Sequence, residues 1–179
     1  RVGIIGGYNM ASLSGDDVDD VDSRSGFDIG GLIQIPMGDM ITIQPEVHYS
    51  QRGASAEEDG EGFEYALDYI HVPVLLKAGL PLAEGFDFDF LVGPSFAFNM
   101  GCELQPEEGD NVECEDAGLE VKGMDFGIIG GGSFAWAAGP GHLLAAARYD
   151  WGMTNITDED DVDVKNTALQ FLVGYAFPL

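Results

Sequence analysis

The sequence predicts an all-β fold, an eight-stranded antiparallel up-and-down transmembrane β-barrel. Three observations carry this reading. Acidic residues gather in four stretches, β-prone apolar segments lie between them, and within each segment large apolar side chains alternate with small or polar ones. The chain has 179 residues, of which 45% are hydrophobic and 22% charged, a composition that suits one folded domain spanning 1–179. A formal charge of −25, from 7 Lys+Arg against 32 Asp+Glu, excludes a nucleic-acid partner held through its phosphates. No apolar run reaches the roughly 18 residues that a spanning helix needs, whereas a spanning strand needs only about 9 to 11.

The acidic stretches are residues 14–24 (Asp16, Asp17, Asp19, Asp20, Asp22), 54–65, 102–118 and 156–163, which together hold 22 of the 32 carboxylates. Each segment between them is long enough for two strands and has a short reversal near its middle. These reversals are Met37-Gly38-Asp39, Pro81 to Gly85, and Ala138-Gly139-Pro140-Gly141. The strands predicted in order are about 1–13, 25–36, 40–53, 66–80, 86–101, 121–137, 142–155 and 164–177. In a meander, alternate connections emerge at the same end. The four acidic loops therefore share one pole, expected to be extracellular, and the three short turns share the periplasmic pole.

Alternation sets the sidedness. The fifth segment places Phe86, Phe88, Phe90, Val92, Phe96 and Phe98 on one face and Asp87, Asp89, Gly93, Ser95, Ala97 and Asn99 on the other. An eight-stranded interior is only just filled by ordinary side chains, so the Phe rings belong outside, against lipid. Tyr49, Tyr69, Tyr149, Trp151, Tyr175 and Phe177 then fall near strand ends, where aromatic girdles are expected. The alternative is a soluble, lipid-binding, lipocalin-like barrel with the apolar face turned inward.

Laid out in this order, the chain resembles the PorT-like outer-membrane β-barrel family of Bacteroidota. The resemblance rests on "GGYNMASL", "IQPEVHYSQRG", "LDYIHVPVLLKAG", "FLVGPSFAF", "MDFGIIGGGSF", "RYDWGMTNI" and "LQFLVGYAF", with "YIHVPVLLK" and "RYDWGMTNI" the most specific. It implies an integral outer-membrane barrel in contact with outer-membrane lipid. In one branch of the family it also implies a component of a protein-secretion or assembly apparatus, with protein partners at the loops or rim.

Candidate chemistry is sparse. Cys102 and Cys114 are the only cysteines, and a disulfide between them fits an oxidising extracytoplasmic compartment. Runs such as "DDVDDVD" and "DEDDVD" supply oxygen ligands for weak divalent-cation contacts such as Ca²⁺, without the EF-hand spacing. A solvated charged cap is the commoner role of such runs. Ser50, Ser95 and Ser133 lack an elbow motif, and none of the acidic loops contains one of the three His residues (His48, His71, His142), so no enzyme and no cofactor is expected.

The inward parity collects Asp28, Gln34, Glu46, His48, Arg52, His71, Lys77, Asp87, Asp89, Arg148 and Asp150 into an expected polar network that plugs the lumen. Counting back from a turn near Ala83 places Lys77 opposite Asp89. Reflection through Gly38 pairs Asp28 with His48, and through the second acidic loop pairs His48 with His71. Two imidazoles and a carboxylate could hold a transition metal, but a hydrogen-bonded plug is the commoner role of such a set.

Overall fold

The fold is given by a computed structural model that describes residues 1–14, 22–58, 61–106, 111–114, 122–155 and 164–179. Eight long strands run as Val2–Ser14 (β1), Asp22–Ile33 (β2), Ile41–Glu58 (β3), Glu61–Ala83 (β4), Phe86–Pro106 (β5), Met124–Ala138 (β6), Gly141–Gly152 (β7) and Lys165–Phe177 (β8). Two two-residue pieces, Ile35–Pro36 and Val112–Glu113, pair with β3 and β5. Every neighbouring pair is antiparallel. The order β2-β1-β8-β7-β6-β5-β4-β3 closes on itself through pairing of β2 with β3, so no long edge is left in the wall.

Alternation sorts the two faces. On β8, Asn166, Ala168, Gln170, Leu172 and Ala176 are buried in the lumen, while Phe171, Val173 and Phe177 are exposed outside. The exposed large apolar residues extend around the wall, among them Ile29, Val47, Phe90, Val92, Trp136 and Leu143, as a lipid-facing band requires. The interior instead buries Arg52, Arg148, His48, His71, Gln170 and Glu46, which overturns the lipocalin-like alternative because the large apolar face points out of the barrel and the inward face is largely polar. The short turns reverse at glycines of positive φ, Gly38, Gly85 and Gly139, a conformation that costs a Cβ-bearing residue more.

Three expectations are corrected. First, residues 54–65 are mostly strand. The β3–β4 ladder continues regularly from His48↔His71 to Glu58↔Glu61, with only residues 59–60 lying outside the description. Likewise β5 continues through Cys102 to Pro106. Carboxylates mark this segment as water-facing, but beyond the membrane a strand can have water on both faces, so charge does not end it. Of the remaining acidic stretches, Asp16, Asp17, Asp19 and Asp20, residues 107–110 and 115–118, and residues 156–163 lie outside the described residues.

Second, the registers are shifted by two residues. Asp28 stands opposite Ser50 and His48 opposite Gly30, while Lys77 stands opposite Leu91 and Asp89 opposite Gly79. The first turn is centred on Asp39, with Met37 N donating to Ile41 O at 2.7 Å, and the second on Glu84-Gly85. A turn centre displaced by one residue moves the partner by two, which keeps each side chain on its face. Third, Tyr69 belongs to no girdle. It shares the parity of His71 and is fully buried inside, beneath the Arg52 guanidinium at 5.8 Å from its ring centre.

Candidate functional site

The wall strands deliver polar side chains to the middle of the lumen from all sides, and there they form ties between strands that are not neighbours. On β3, Gln44, Glu46, His48 and Ser50 share the inward parity and form a vertical row. Gln34 Nε2 donates to Gln44 Oε1 at 2.9 Å, and Gln44 Nε2 donates to Glu46 Oε1 at 2.6 Å. Glu46 Oε2 accepts from His48 Nε2 and from Arg148 Nη1, each at 2.7 Å. The other imidazole nitrogen, Nδ1, bonds Asp28 Oδ1. Arg148 Nε donates to Gln170 Oε1 at 3.0 Å, and Gln170 Nε2 donates to Asp28 Oδ2 at 2.9 Å, so the ring of contacts closes through β2, β3, β7 and β8.

A second group lies nearer the outer mouth. Arg52 Nη2 on β3 donates to Asp150 Oδ2 on β7 at 2.7 Å, and Ser95 on β5 donates to Asp150 Oδ1 at 2.8 Å. His71 Nε2 is 3.1 Å from the same carboxylate, and its ring centre is 6.2 Å from that of His48. Toward the short-turn pole, Lys77 Nζ meets Asp89 Oδ2 at 2.8 Å despite their different heights on the ladder, and Ser133 Oγ adds a 3.2 Å bond to Asp89. Asp87 shares the parity but sits half-buried at the mouth.

The charges match. Both nitrogens of His48 face carboxylate oxygens, and an imidazole donates from both only as the doubly protonated ring. With His48 so charged, the carboxylates of Asp28, Glu46, Asp89 and Asp150 are balanced by His48, Lys77, Arg52 and Arg148, while the buried Asp125 stands outside this set and is hydrogen-bonded to Thr154. Such a balance is what makes ionised groups tolerable in a dry interior. It also leaves His48 no lone pair for a metal, and no group of three or more His, Cys, Asp or Glu side chains placed to hold a metal ion occurs among the described residues. One apolar cluster of the lumen lies on the β1, β2, β6, β7 and β8 side, where Ile5, Leu32, Leu144 and Leu172 pack together, and Leu75 and Leu91 are buried on β4 and β5.

Sequence reasoning missed several participants. Gln44 and Gln170 bridge the charged groups and share the parity of Glu46 and Arg148, so counting every inward polar residue rather than the titratable ones would have found them. Asp125, which accepts from Thr154 Oγ1 at 2.5 Å, sits at a strand end where alternation is short and no such signal exists. The cysteines do join: Cys102 and Cys114 form a disulfide with their Cα atoms 5.4 Å apart, and Cys114 N donates to Cys102 O at 3.1 Å.

Residues 1–158 match the model of a family described as outer membrane protein beta-barrel domain. Among solved structures, the chain is similar to Neisserial surface protein A (NspA), with 13% identity, a TM-score of 0.56, and coverage of 98% of this chain and 97% of that one. It is also similar to the attachment invasion locus protein Ail of Yersinia pestis, solved with the heparin analogue sucrose octasulfate (14% identity, TM-score 0.49, 97% and 96% covered). A third is OprG of Pseudomonas aeruginosa (12% identity, TM-score 0.48, 99% and 96% covered). No curated protein matches the chain. The closed eight-stranded wall, its apolar exterior and the family match over most of its length lead to one assignment: the chain belongs to the outer membrane protein β-barrel domain family, and its place is the bacterial outer membrane with its loops outside.

Proposed function

We propose that this protein is a non-enzymatic outer-membrane barrel whose lumen is plugged by its own side chains and whose work is done by its acidic external surface. The observation that carries the proposal is the set of transverse ties. Arg148 to Glu46, Gln170 to Asp28 and Arg52 to Asp150 each join strands that are not hydrogen-bonded neighbours, so they occupy the space through which a solute would pass. Outside, the carboxylate excess favours cations, cationic polymers or basic protein surfaces as partners, and weak divalent-cation contacts belong to the same reading. The test is electrical. Purified monomer in a planar bilayer is expected to give no stable ohmic pore, and reproducible open pores would overturn the plug.

A second reading, participation in a secretion or assembly apparatus, draws on the PorT-like resemblance. It is favoured by the projecting β3–β5 sheet, which offers a rim on which a partner subunit can rest. Affinity purification in mild detergent separates the two. Stoichiometric subunits recovered with the chain would favour the apparatus, and recovery of the chain alone favours the stand-alone barrel.

A further inference from the structure

On the lipid-facing side of the wall, β3 and β4 change character at one level. The outward positions of β3 run Ile41, Ile43, Pro45 and Val47 before turning to Tyr49 and Gln51, and those of β4 run Leu76, Val74, Val72 and Ile70 before turning to Asp68. Tyr49 pairs with Ile70 and Gln51 with Asp68, so the two transitions lie side by side. From Ile41 to Gln51 a strand of ordinary rise and tilt climbs about 25 Å along the barrel axis, which is the height of an apolar band. Asp68 therefore stands on the outer wall where hydrocarbon gives way to headgroups.

The surroundings of Asp68 form a notch. On one flank the Tyr49 hydroxyl faces Asp68 and Gln51, and the Tyr49 ring lies 5.6 Å from that of Phe27, which stands opposite Tyr8 and continues the aromatic row onto β1. On the other flank the ladder partner of Asp68 is Gly101, and a Cβ there would meet nothing within 4 Å. Phe98, opposite Ile70, borders this gap from below, and the extra residue Met100 lies beside it; they are 42% and 65% exposed.

The Asp68 carboxylate has no partner charge. Arg24 reaches this level, but its Nε donates to Glu64 at 3.0 Å and its Nη1 to the Arg52 carbonyl at 3.1 Å, and among the described residues no cation pairs with Asp68. A carboxylate at the membrane surface, flanked by aromatic rings, fits a cation that brings its own apolar chains. We propose that Asp68, Gln51 and Tyr49 seat the primary ammonium of a membrane phospholipid whose acyl chains descend over Phe98, Ile70 and Val72. A primary ammonium carries three donors, and the Asp68 carboxylate, the Gln51 amide oxygen and the Tyr49 hydroxyl oxygen offer three acceptors. A quaternary ammonium has no N–H to donate, and an anionic headgroup meets Asp68 with like charge. The seat lies on the outer wall and does not depend on the lumen plug.

The test is native mass spectrometry of the full chain, folded in detergent and offered equal amounts of phosphatidylethanolamine, phosphatidylcholine and phosphatidylglycerol. Phosphatidylethanolamine is expected to be retained about fivefold more than either of the others. Asp68→Asn removes the charge and Gly101→Val fills the gap, and each is expected to bring that preference below about twofold. Asp39→Asn, the same change of charge at an exposed turn of the opposite pole, is expected to leave it intact. Phosphatidylethanolamine acetylated on its nitrogen gives a second reading that needs no variant: without the ammonium it is expected to be retained no better than phosphatidylglycerol. Equal retention of the three lipids, a preference for either of the others, a preference that survives Asp68→Asn or Gly101→Val, or undiminished retention of the acetylated lipid would each overturn the seat.

Discussion

Replacing Arg148 with Met tests the lumen network most directly. Its guanidinium donates at 2.7 Å to Glu46 and at 3.0 Å to Gln170, and the residue is only 1% exposed. Met keeps most of the apolar bulk of the side chain but removes the charge. Asp28 and Glu46 would then share His48 as their only cation, leaving one negative charge uncompensated in a water-poor interior. Breaking a buried pair from one side costs about 3–5 kcal/mol, a large fraction of the stability of a small domain. If charge balance is the cause, pairing Arg148→Met with Glu46→Gln should recover about 2 kcal/mol of that loss, because Asp28 and His48 remain matched. Glu64→Gln serves as the control. It alters an ion pair with Arg24 in which the Glu64 side chain is 49% exposed, and it should change stability by about 1 kcal/mol or less. The assay is equilibrium urea unfolding of the chain folded in lipid vesicles, followed through Trp136 and Trp151 on the outer face. An Arg148→Met stability within about 1 kcal/mol of wild type, or a double variant as unstable as the two single losses summed, would refute the charge-balance argument.

Three further outcomes follow from the geometry. Tyr175→Phe removes a hydroxyl that donates to Ala138 O at 2.6 Å and accepts from Gly141 N at 2.9 Å, so urea unfolding should show a loss of about 1–3 kcal/mol with no change in the lumen. Gly131→Val should prevent refolding into vesicles, read as loss of protease-resistant barrel, because a Cβ at Gly131 would lie 2.4 Å from Ala147 O on the neighbouring strand. Cys102→Ser with Cys114→Ser should leave the urea midpoint of the wall nearly unchanged while exposing residues 101–114 to limited proteolysis. The disulfide closes a loop of sequence separation 12, and its contribution of about 3 kcal/mol is expected in the order of that loop alone.

The sequence alone determined the class, the strand number and the facing of nearly every wall residue. The reason is that the bilayer is a strict solvent: a strand between lipid and a narrow lumen must alternate, and a slip of one residue would put Arg52, Lys77 or Arg148 in hydrocarbon. The set of inward charges was legible for the same reason. Which of them touch was not. The contacts of Arg148 with Glu46 and of Arg52 with Asp150 cross the barrel between residues 102 and 98 positions apart, and they depend on closure, tilt and turn centres that no local pattern encodes. The two-residue register shifts at Asp28 and Lys77 arose from turn geometry at Asp39 and Gly85, and parity is blind to them because it repeats every two residues. The inward turn of Tyr69 was legible, since it shares the parity of His71, and it was missed only because its ring suggested a girdle. Beyond the membrane, water on both faces relaxes the demand for alternation. There the extra residue Met100 between Asn99 and Gly101, rather than composition, decides the facing of the residues above it, with Ala97 buried below and Glu103 exposed above.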